Sequence, residues 1–229
     1  MKLFPFLNKK SKKNDVACSP PKNFNIPKAG EFSPHIKIVS RNDAFDFIAQ
    51  YRAAHVGDLT FLDVGGRHGE WKNVACNYNY SVLDLDPTAS GTGLIVGDIC
   101  SCSQIASETY DVVFSNNLLE HVREPWLAAE ECVRITKVGG LLIHIAPFSW
   151  RYHPFPEDHY RFSHSGLAYL FERTKQVDTL MSGYDISKRR ANSRGGKVIG
   201  NLDVPPIDEL GGWRENWLTI YVAKKHVNV

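Results

Sequence analysis

Short apolar runs alternate with segments of helical spacing along most of the chain. Residues 43–51 carry apolar side chains at helical spacing, which predicts a helix ahead of the first strand. Apolar runs that predict buried strands follow near Phe61, Tyr80, Tyr110 and Leu141, with a short one before Gly97. Alternating strands and helices in a chain of this size predict a mostly parallel sheet with helices on both faces. Ligands of such sheets bind at the carboxyl ends of the strands.

The composition is that of an ordinary globular protein. Of 229 residues, 43% are hydrophobic and 23% are charged, which fits one domain around one core. No apolar run approaches the roughly 20 residues of a membrane span, and the opening residues are too short a stretch for a secretory signal, so we expect a cytoplasmic protein. An odd number of cysteines without C-x-x-C spacing predicts reduced thiols at Cys18, Cys76, Cys100, Cys102 and Cys132.

Positive charge is concentrated at the start of the chain. Residues 1–14 hold five lysines and no acid, which leaves 22 basic against 25 acidic residues elsewhere. That balance argues against a nucleic-acid-binding surface. We expect residues 1–34 to form a disordered basic leader and residues 35–229 to form a single domain. The leader is either a solvated tail or, at most, a weak contact with an anionic membrane surface.

The most informative stretch is the glycine-rich turn after the first predicted strand, in residues 61–71. Twenty-one positions after Asp63, Asp84 ends the second predicted strand. A turn of this kind lets the backbone approach a ligand closely, and an acid at the end of the next strand can accept hydrogen bonds from ribose hydroxyls. This is the layout of a nucleoside-binding site.

Later motifs follow in a fixed order. Gly97-Asp98-Ile99 comes after the third strand, Leu118-Leu119-Glu120-His121-Val122 opens a helix after the fourth, and that helix is expected to end at Gly139-Gly140. In this ordered set, residues 59–147 resemble the class I S-adenosylmethionine-dependent methyltransferases, in particular the group with ubiquinone-type and small-molecule enzymes. The resemblance implies S-adenosyl-L-methionine as cofactor.

The same resemblance implies a particular fold of the α/β class. That fold is a Rossmann-like, seven-stranded, mostly parallel sheet with one antiparallel strand and helices on both faces. The segment from Asn216 to Val222 is the candidate for the antiparallel strand, and Val177 to Tyr184 is its expected neighbour.

The resemblance also assigns the first turn to cofactor binding, with one departure. Asp63, Gly65 and Gly69 match an acidic residue and two of three alternating glycines, but Arg67 stands where the middle glycine is usual. Arg67 requires a backbone conformation that an L-residue can adopt. The loop is therefore reshaped, or the guanidinium pairs with the methionine carboxylate of the cofactor.

Four further residues receive cofactor roles from the resemblance. Asp84 would hold the ribose hydroxyls, Asp98 the adenine amino group, and Ser115 or Asn116 would lie beside the cofactor. Two of these residues have a structural alternative. Asp84 could cap a helix, and Asp98 could be an ordinary turn residue.

The acceptor site is expected in an aromatic loop at residues 147–162, after the fifth strand. We predict that His153, Asp158 or His159 takes a hydroxyl proton there, with His121 in reserve. The alternative is a structural lid in which the histidines only pair with neighbouring carboxylates. A similar His-Pro and Asp-x-x-Arg-Phe pattern occurs in bacterial methyltransferases encoded near surface-polysaccharide genes.

A second loop is expected at residues 185–213, where basic residues lie among glycines and prolines. Its basic cluster either clamps a phosphate on the acceptor or is simply solvated.

No metal site is predicted. In ubiquinone-pathway relatives the Glu-His pair of the Leu-Glu-His-Val motif belongs to a metal-binding set with a preceding acid. Asn117 stands in the place of that acid here, so the resemblance implies that Glu120 and His121 orient the loop.

Together these features predict an S-adenosylmethionine-dependent O-methyltransferase that acts on a sugar or other small polar acceptor. The alternatives are a lipid-quinone or N-methyltransferase and, as a non-enzyme, a cofactor-binding module without catalysis. An NAD-dependent oxidoreductase fits the motif order less well. A small molecule, with carbohydrates among the candidates, is the expected partner, and nucleic acid is not.

Overall fold

The computed structural model describes residues 37–150, 152–154, 156–189 and 215–227, and seven strands form one sheet in these ranges. The strands are β1 (Thr60–Val64), β2 (Asn79–Asp84), β3 (Leu94–Val96), β4 (Tyr110–Asn116), β5 (Thr136–Ser149), β6 (Val177–Arg189) and β7 (Glu215–Lys225). The helices are α1 (Arg41–Ala54), α2 (Pro125–Ile135) and α3 (His164–Glu172), with short 3₁₀ turns at Ile99–Ser101 and Leu119–His121.

The strand order is β3-β2-β1-β4-β5-β7-β6. All pairs from β3 to β5 are parallel, whereas β7 runs antiparallel to both of its neighbours, β5 and β6. The prediction of a mostly parallel sheet with one antiparallel strand is therefore confirmed. Because β1 and β4 lie next to each other at the point where the chain reverses its direction of winding, their carboxyl ends form the crevice in which such sheets bind ligands.

Both faces of the sheet are covered, as the alternating pattern predicted. On one face, α2 and α3 pack through residues such as Ala128, Cys132 and Phe171 against Leu62, Val113 and Leu142. On the other face, α1 packs through Ala44 and Ile48 against β-strand residues that include Phe61, Phe114 and Ile143. Burial of these alternating strand side chains supplies the main driving force for folding.

Each helix begins at a recognisable sequence signal. Ser40 and Asp43 form a capping box at the start of α1, and the Ser163 hydroxyl accepts a hydrogen bond from Gly166 N at the start of α3. Pro125 occupies the first turn of α2, where its missing N–H costs nothing. This position shows that α2 begins seven residues later than the expected start at Leu118.

The glycine pair expected to end that helix lies inside β5. The helix stops at Ile135, and Gly139 takes a φ of +81°. A Cβ on Gly140 would lie 2.7 Å from the Asp111 carbonyl oxygen, beside the register shift between Tyr110 and Val112 in β4. The pair therefore permits a close approach of two strands, which the helix-ending pattern did not distinguish from a C-cap.

The segment after β1 is a series of turns, where the alternation of strands and helices along the chain predicts a helix. Backbone bonds such as Lys72 N to the Gly69 carbonyl and Val74 N to the Trp71 carbonyl hold it together. Gly65 and Gly69 have φ values of +77° and +65°, which interrupt a right-handed helix before it can begin. No α-helix is assigned between β1 and β2 in this part of the described chain.

The two outer regions singled out by the sequence are only partly described. Strand β6 continues to Arg189, so the first residues of the loop expected at 185–213 belong to a strand. Residues 190–214 and the leader at 1–34 lie outside the described residues. Among the described helices, none combines the length and the apolar character needed to cross a membrane.

A short segment ahead of α1 lies along the edge of β6. Val39 N donates to the Tyr184 carbonyl at 3.0 Å, and Tyr184 N donates to the Lys37 carbonyl at 2.8 Å. A Cβ on Gly183 would lie 2.5 Å from the Lys37 carbonyl oxygen, so only glycine allows this approach. The pairing shields part of an edge that would otherwise be open to other strands.

We expect Gly183→Ala to destabilise the protein by about 1–3 kcal/mol, because the added methyl group forces residues 37–39 away from β6. Thermal unfolding measures the loss, and amide exchange at Val39 and Tyr184 locates it. Leu180→Ala, on the same strand at an exposed position, is the control and should change stability little. Unchanged exchange at both amides in Gly183→Ala would contradict this account.

Candidate active site

Three parallel strands bring their carboxyl ends to one level. Val64 at the end of β1 lies beside Leu83 of β2 and Ser115 of β4. Gly65, Asp84 and Asn116 are the next residues on the three strands, so the sheet places these predicted cofactor residues at one edge. Gly65 N donates to the Leu83 carbonyl at 2.7 Å, which turns the chain sharply at that edge.

Asp63 lies beneath this turn as a buried carboxyl group. It is 1% exposed, it accepts a hydrogen bond from the Tyr80 hydroxyl, and its Oδ1 has no hydrogen-bond partner among the described residues. Burial raises the pKa of Asp63 to about 7, with the Tyr80 hydrogen bond opposing the shift. A Cβ on Gly66 would overlap the carboxylate, so the second glycine of the turn is required to make room for it.

Arg67 adopts a backbone that an ordinary residue can take, since it is not among the non-glycine residues with positive φ. Its guanidinium forms an ion pair with Asp86, two residues beyond the end of β2. The pKa of Asp86 is lowered, chiefly by hydrogen bonds from Thr88 and then by Arg67. The sequence predicts either an ion pair between Arg67 and the cofactor or a reshaped loop. The structure adds a protein partner for Arg67, the Asp86 carboxylate, that sequence reasoning missed.

Asp84 and Asp98 each accept a hydrogen bond from a backbone N–H two residues further on. The Asp84 Oδ1 accepts from Asp86 N at 2.8 Å, and the Asp98 Oδ1 accepts from Cys100 N at 2.8 Å. Asp98 thereby caps the 3₁₀ turn at Ile99–Ser101. Asp98 thus has the turn role considered as an alternative, whereas Asp84 supports a turn and not the helix cap considered for it, since residues 85–93 contain no helix. Both residues lie at strand ends and so remain at the ligand-binding edge.

Ser115 and Asn116 differ in their surroundings. The Ser115 hydroxyl lies 2.8 Å from Nδ1 of His144, a buried residue whose ring stacks on Phe171 of α3. Burial lowers the pKa of His144 to about 3, so the imidazole is neutral and this pair is part of the core. By contrast, Asn116 Oδ1 is buried and makes no hydrogen bond within the described ranges. Of the two, Asn116 retains a polar atom for a ligand.

The turn after β4 and the aromatic loop meet in what we call the Glu-His cluster, formed by Glu120, His121 and His153. The Glu120 side chain is fully buried, and within the described residues neither of its carboxylate oxygens makes a hydrogen bond. Its Oε1 lies 3.7 Å from His121 Nε2 and 3.8 Å from His153 Nε2. Burial raises the pKa of Glu120 to about 8, and Arg161 opposes this shift.

Each histidine of the Glu-His cluster has a second partner at its other ring nitrogen. His121 Nδ1 lies 2.6 Å from the Glu157 carbonyl oxygen, and His153 Nδ1 lies 3.2 Å from Asp158 Oδ2. The two rings meet edge to face at 4.9 Å. Burial lowers the pKa of His121, which favours its neutral form. Both rings are thus fixed with Nε2 towards Glu120.

Asp158 is fixed in turn by Arg161. Two guanidinium nitrogens of Arg161 lie 2.5 and 2.6 Å from the Asp158 carboxylate, and His153 N donates to it at 2.7 Å. These bonds lower the pKa of Asp158 to about 2, so this carboxylate is a poor proton acceptor and instead orients His153. Arg161 is a site residue that sequence reasoning did not select, although its spacing from Asp158 was visible.

His159, the third predicted catalytic residue, is directed elsewhere. Its Nε2 lies 3.1 Å from Glu157 Oε2, and its backbone N–H donates to the Glu120 carbonyl at 2.7 Å. Among the three candidates, therefore, the side chains of His153 and Asp158 contact each other, and that of His153 also faces the Glu120 carboxyl group, whereas the His159 side chain pairs with Glu157. Glu120 itself had been expected only to orient the loop, and its burial was not visible in the sequence.

Comparisons with known proteins agree with this architecture. Residues 62–144 match the family described as "Methyltransferase domain". An uncharacterized methyltransferase of Mycolicibacterium vanbaalenii is 33% identical over 96 residues, which cover 37% of this chain and 38% of that protein. The chain thus spans well under half the length of the curated relatives it matches.

Two solved structures show the same fold. A putative methyltransferase from Bacillus halodurans aligns with a TM-score of 0.60 and 13% identity, over 81% of this chain and 100% of the other. A SAM-dependent methyltransferase from Archaeoglobus fulgidus aligns with a TM-score of 0.54 and 14% identity, over 81% and 95%. The fold is therefore the Rossmann-like fold of methyltransferases. Residues 62–144 are thus similar in sequence to methyltransferase domains, and the chain shares its fold with a SAM-dependent methyltransferase of known structure.

The buried carboxyl group of Asp63 predicts a pH dependence of stability in the ligand-free protein. A raised folded-state pKa means that the folded protein holds a proton that the unfolded chain has released, between about pH 4 and pH 7. Stability should therefore fall as the pH rises through this window. In Asp63→Asn this part of the dependence should be absent, which makes the variant more stable than the wild type at pH 8 by roughly 2–4 kcal/mol.

Denaturant unfolding at pH 5 and pH 8 measures this difference. Asp58→Asn, at an exposed aspartate just before β1, is the matched control and should follow the wild type. An Asp63→Asn variant with the wild-type pH dependence would show that Asp63 is ionised in the folded protein.

Proposed function

We propose that the protein transfers the methyl group of S-adenosyl-L-methionine to a hydroxyl oxygen of a small polar acceptor. The observation that carries this proposal is the Glu-His cluster, with His153 held by Asp158 next to the buried Glu120. The cluster follows β4 and β5, whose carboxyl ends belong to the ligand-binding edge of the sheet. A hydroxyl acceptor needs a group of this kind to remove its proton.

The cofactor is proposed to lie across the ends of β1, β2, β3 and β4. Gly65 and Gly69 allow close backbone approach, and the cofactor ribose would hydrogen-bond to Asp84. Asp98 follows β3 at the position proposed for the adenine amino group. The unpartnered oxygens of Asp63 and Asn116 are acceptors suited to the positively charged end of the methionine moiety.

For methyl transfer the protein must align the acceptor hydroxyl with the methyl group and remove the hydroxyl proton. The hydroxyl oxygen attacks the methyl carbon in line with the carbon–sulfur bond, whose electron pair stays on sulfur and gives S-adenosylhomocysteine. Alignment of this kind is worth up to about 7–11 kcal/mol of the barrier. His153 takes the hydroxyl proton, and Asp158 stabilises the resulting imidazolium in the manner of a catalytic acid–histidine pair.

Aromatic side chains next to the Glu-His cluster support a sugar-like acceptor. Trp150 lies 6.1 Å from the His153 ring, and Tyr152 is 72% exposed. Aromatic faces beside polar groups suit the apolar face and the hydroxyl groups of a sugar ring. An N-methyltransferase would not need a base of this type, and a cofactor-binding module would keep the strand-end acids without needing the Glu-His cluster.

Cofactor binding tests the first part of this proposal. S-adenosyl-L-methionine should bind with micromolar affinity and NAD should not bind, and Asp84→Asn should weaken cofactor binding by about 1–3 kcal/mol because one ribose hydroxyl loses its acceptor. Asparagine keeps the oxygen that accepts from Asp86 N, so the turn survives. Calorimetry measures the affinity, with Asp58→Asn as control. Equal affinity in Asp84→Asn would remove Asp84 from the site.

Turnover tests the second part. His153→Ala should leave cofactor affinity unchanged and lower turnover about 10²–10⁴-fold, because the proton acceptor is lost. Asp158→Asn should lower turnover less and shift the pH–rate profile, since the neutral amide no longer stabilises the imidazolium. His55→Ala, at an exposed position at the end of α1, is the control.

A labelled-methyl assay against hydroxylated acceptors reports these rates. Normal turnover in His153→Ala would favour an N-methyl acceptor and overturn the proposed base.

A further inference from the structure

We propose that the Glu-His cluster binds a divalent transition-metal ion of the zinc type through Glu120, His121 and His153. One ligand atom from each residue lies within 4.8 Å of the others, so the three can surround a single ion. Two ligands at about 2.1 Å from a tetrahedral zinc ion are about 3.4 Å apart. The separations of 3.7 and 3.8 Å from Glu120 Oε1 to the two Nε2 atoms need to shorten only slightly.

The histidine partners give a second, independent indication. Metal-binding histidines generally donate their other ring N–H to a carbonyl or carboxylate oxygen, which leaves the metal-binding nitrogen unprotonated. His121 Nδ1 faces the Glu157 carbonyl, and His153 Nδ1 faces Asp158. Arg161 also lies 3.5 Å from His153 Nδ1, but the Asp158 oxygen is closer. In the tautomer with the proton on Nδ1, both Nε2 atoms face Glu120 with their lone pairs.

Glu120 gives the third indication. Its side chain is fully buried, and its two oxygens lack hydrogen-bond donors among the residues that the structure describes. A buried carboxylate without a partner is costly, and a bound cation removes that cost. Arg161, whose charge opposes the raised pKa of Glu120, is already engaged in two bonds with Asp158.

The donor set selects the kind of ion. Two imidazole nitrogens and one carboxylate suit zinc and its neighbours among the first-row metals, whereas Mg²⁺ and Ca²⁺ prefer oxygen ligands alone. Three protein ligands also leave a coordination position open, as in catalytic rather than structural zinc sites. This set differs from the one implied by the sequence resemblance, because its third member is His153 from the aromatic loop and not an acid before Glu120.

The open coordination position allows the ion to bind the acceptor hydroxyl, and this role of the ion rests on the proposed function. The acceptor hydroxyl occupies the open position, where the ion lowers its pKa. Its proton passes to water, the oxygen attacks the methyl carbon, and the carbon–sulfur bond breaks with its electron pair on sulfur. With the ion bound, His153 is a metal ligand and water takes the proton, whereas His153 is the proposed base in the metal-free protein.

Metal binding is tested on the full chain after treatment with a chelator. Titration with Co²⁺ should give the visible absorption of a four- or five-coordinate ion at one site, and Zn²⁺ should displace it. His153→Asn and Glu120→Gln should each weaken binding at least 100-fold, and Asp158→Asn should weaken it about 10–100-fold, as expected when an oriented ligand loses its support. His55→Ala is the control.

His153→Asn leaves every cysteine in place, so binding by thiols would persist in this variant and be recognised. His153 is partly exposed on a loop, so its replacement should not unfold the protein, and circular dichroism checks this. Absence of a Co²⁺ spectrum, or equal affinity in wild type and His153→Asn, overturns the inference.

Activity separates this inference from the proposed function. Full turnover by the chelator-treated protein, without Co²⁺ binding, overturns the metal site and leaves O-methyl transfer intact. Co²⁺ binding that depends on His153, without turnover on any hydroxyl acceptor, supports the metal site and overturns the proposed function.

Discussion

The candidate active site depends on the attachment of the aromatic loop to the turn after β4. The backbone N–H groups of His159 and Tyr160 both donate to the Glu120 carbonyl, at 2.7 and 3.2 Å. The loop is thereby drawn over Glu120, and the side chain of this residue is buried as a result. Together with the contact of His121 Nδ1 with the Glu157 carbonyl, these two hydrogen bonds fix the loop next to His121, although His153 and His121 are 32 positions apart in the sequence. A small amount of backbone pairing therefore assembles the Glu-His cluster from two distant parts of the chain.

Bonds within the loop make this attachment rigid. Arg161 binds the Asp158 carboxylate with two nitrogens and the Trp150 carbonyl with a third. The guanidinium is planar and always charged, so it closes the loop in one geometry. Tyr160 adds a bond from its hydroxyl to the Arg123 carbonyl. A site held in this way keeps its side chains in place before any ligand arrives, which is the arrangement that catalysis by positioning requires.

Much of the fold could be predicted from the sequence, because burial of apolar side chains decides it. The runs at Phe61, Tyr80 and Tyr110 became strands, and strand order placed Asp63, Gly65 and Asp84 at one edge. The segment after β1 could not be predicted in the same way. The alternation of strands and helices predicts a helix there, but the segment forms turns that begin at two glycines with positive φ.

The candidate site was less accessible to sequence reasoning, and the reason is physical. Residue type and spacing identified His153 and Asp158, whereas burial and pairing are properties of the folded chain. Tyr80 and Asp86 act through contacts that no local pattern encodes, whereas the spacing of Arg161 from Asp158 was visible but their pairing was not. The glycine pair at 139–140 is comparable, because glycine is favoured both at the end of a helix and where two strands approach closely. The sequence pattern therefore does not distinguish the two structures.

The Asp63 carboxyl group, which has one hydrogen-bond donor among the described residues, makes ligand binding dependent on pH. With a pKa of about 7, this group is close to half protonated at neutral pH in the ligand-free protein. A positively charged ligand bound beside it would favour the ionised form and expel part of a proton into solution. Cation binding at this edge would then tighten as the pH rises, and its heat would vary with the ionisation enthalpy of the buffer. Gly66 makes room for the Asp63 carboxylate, and the buried site that results couples the charge of the ligand to proton release.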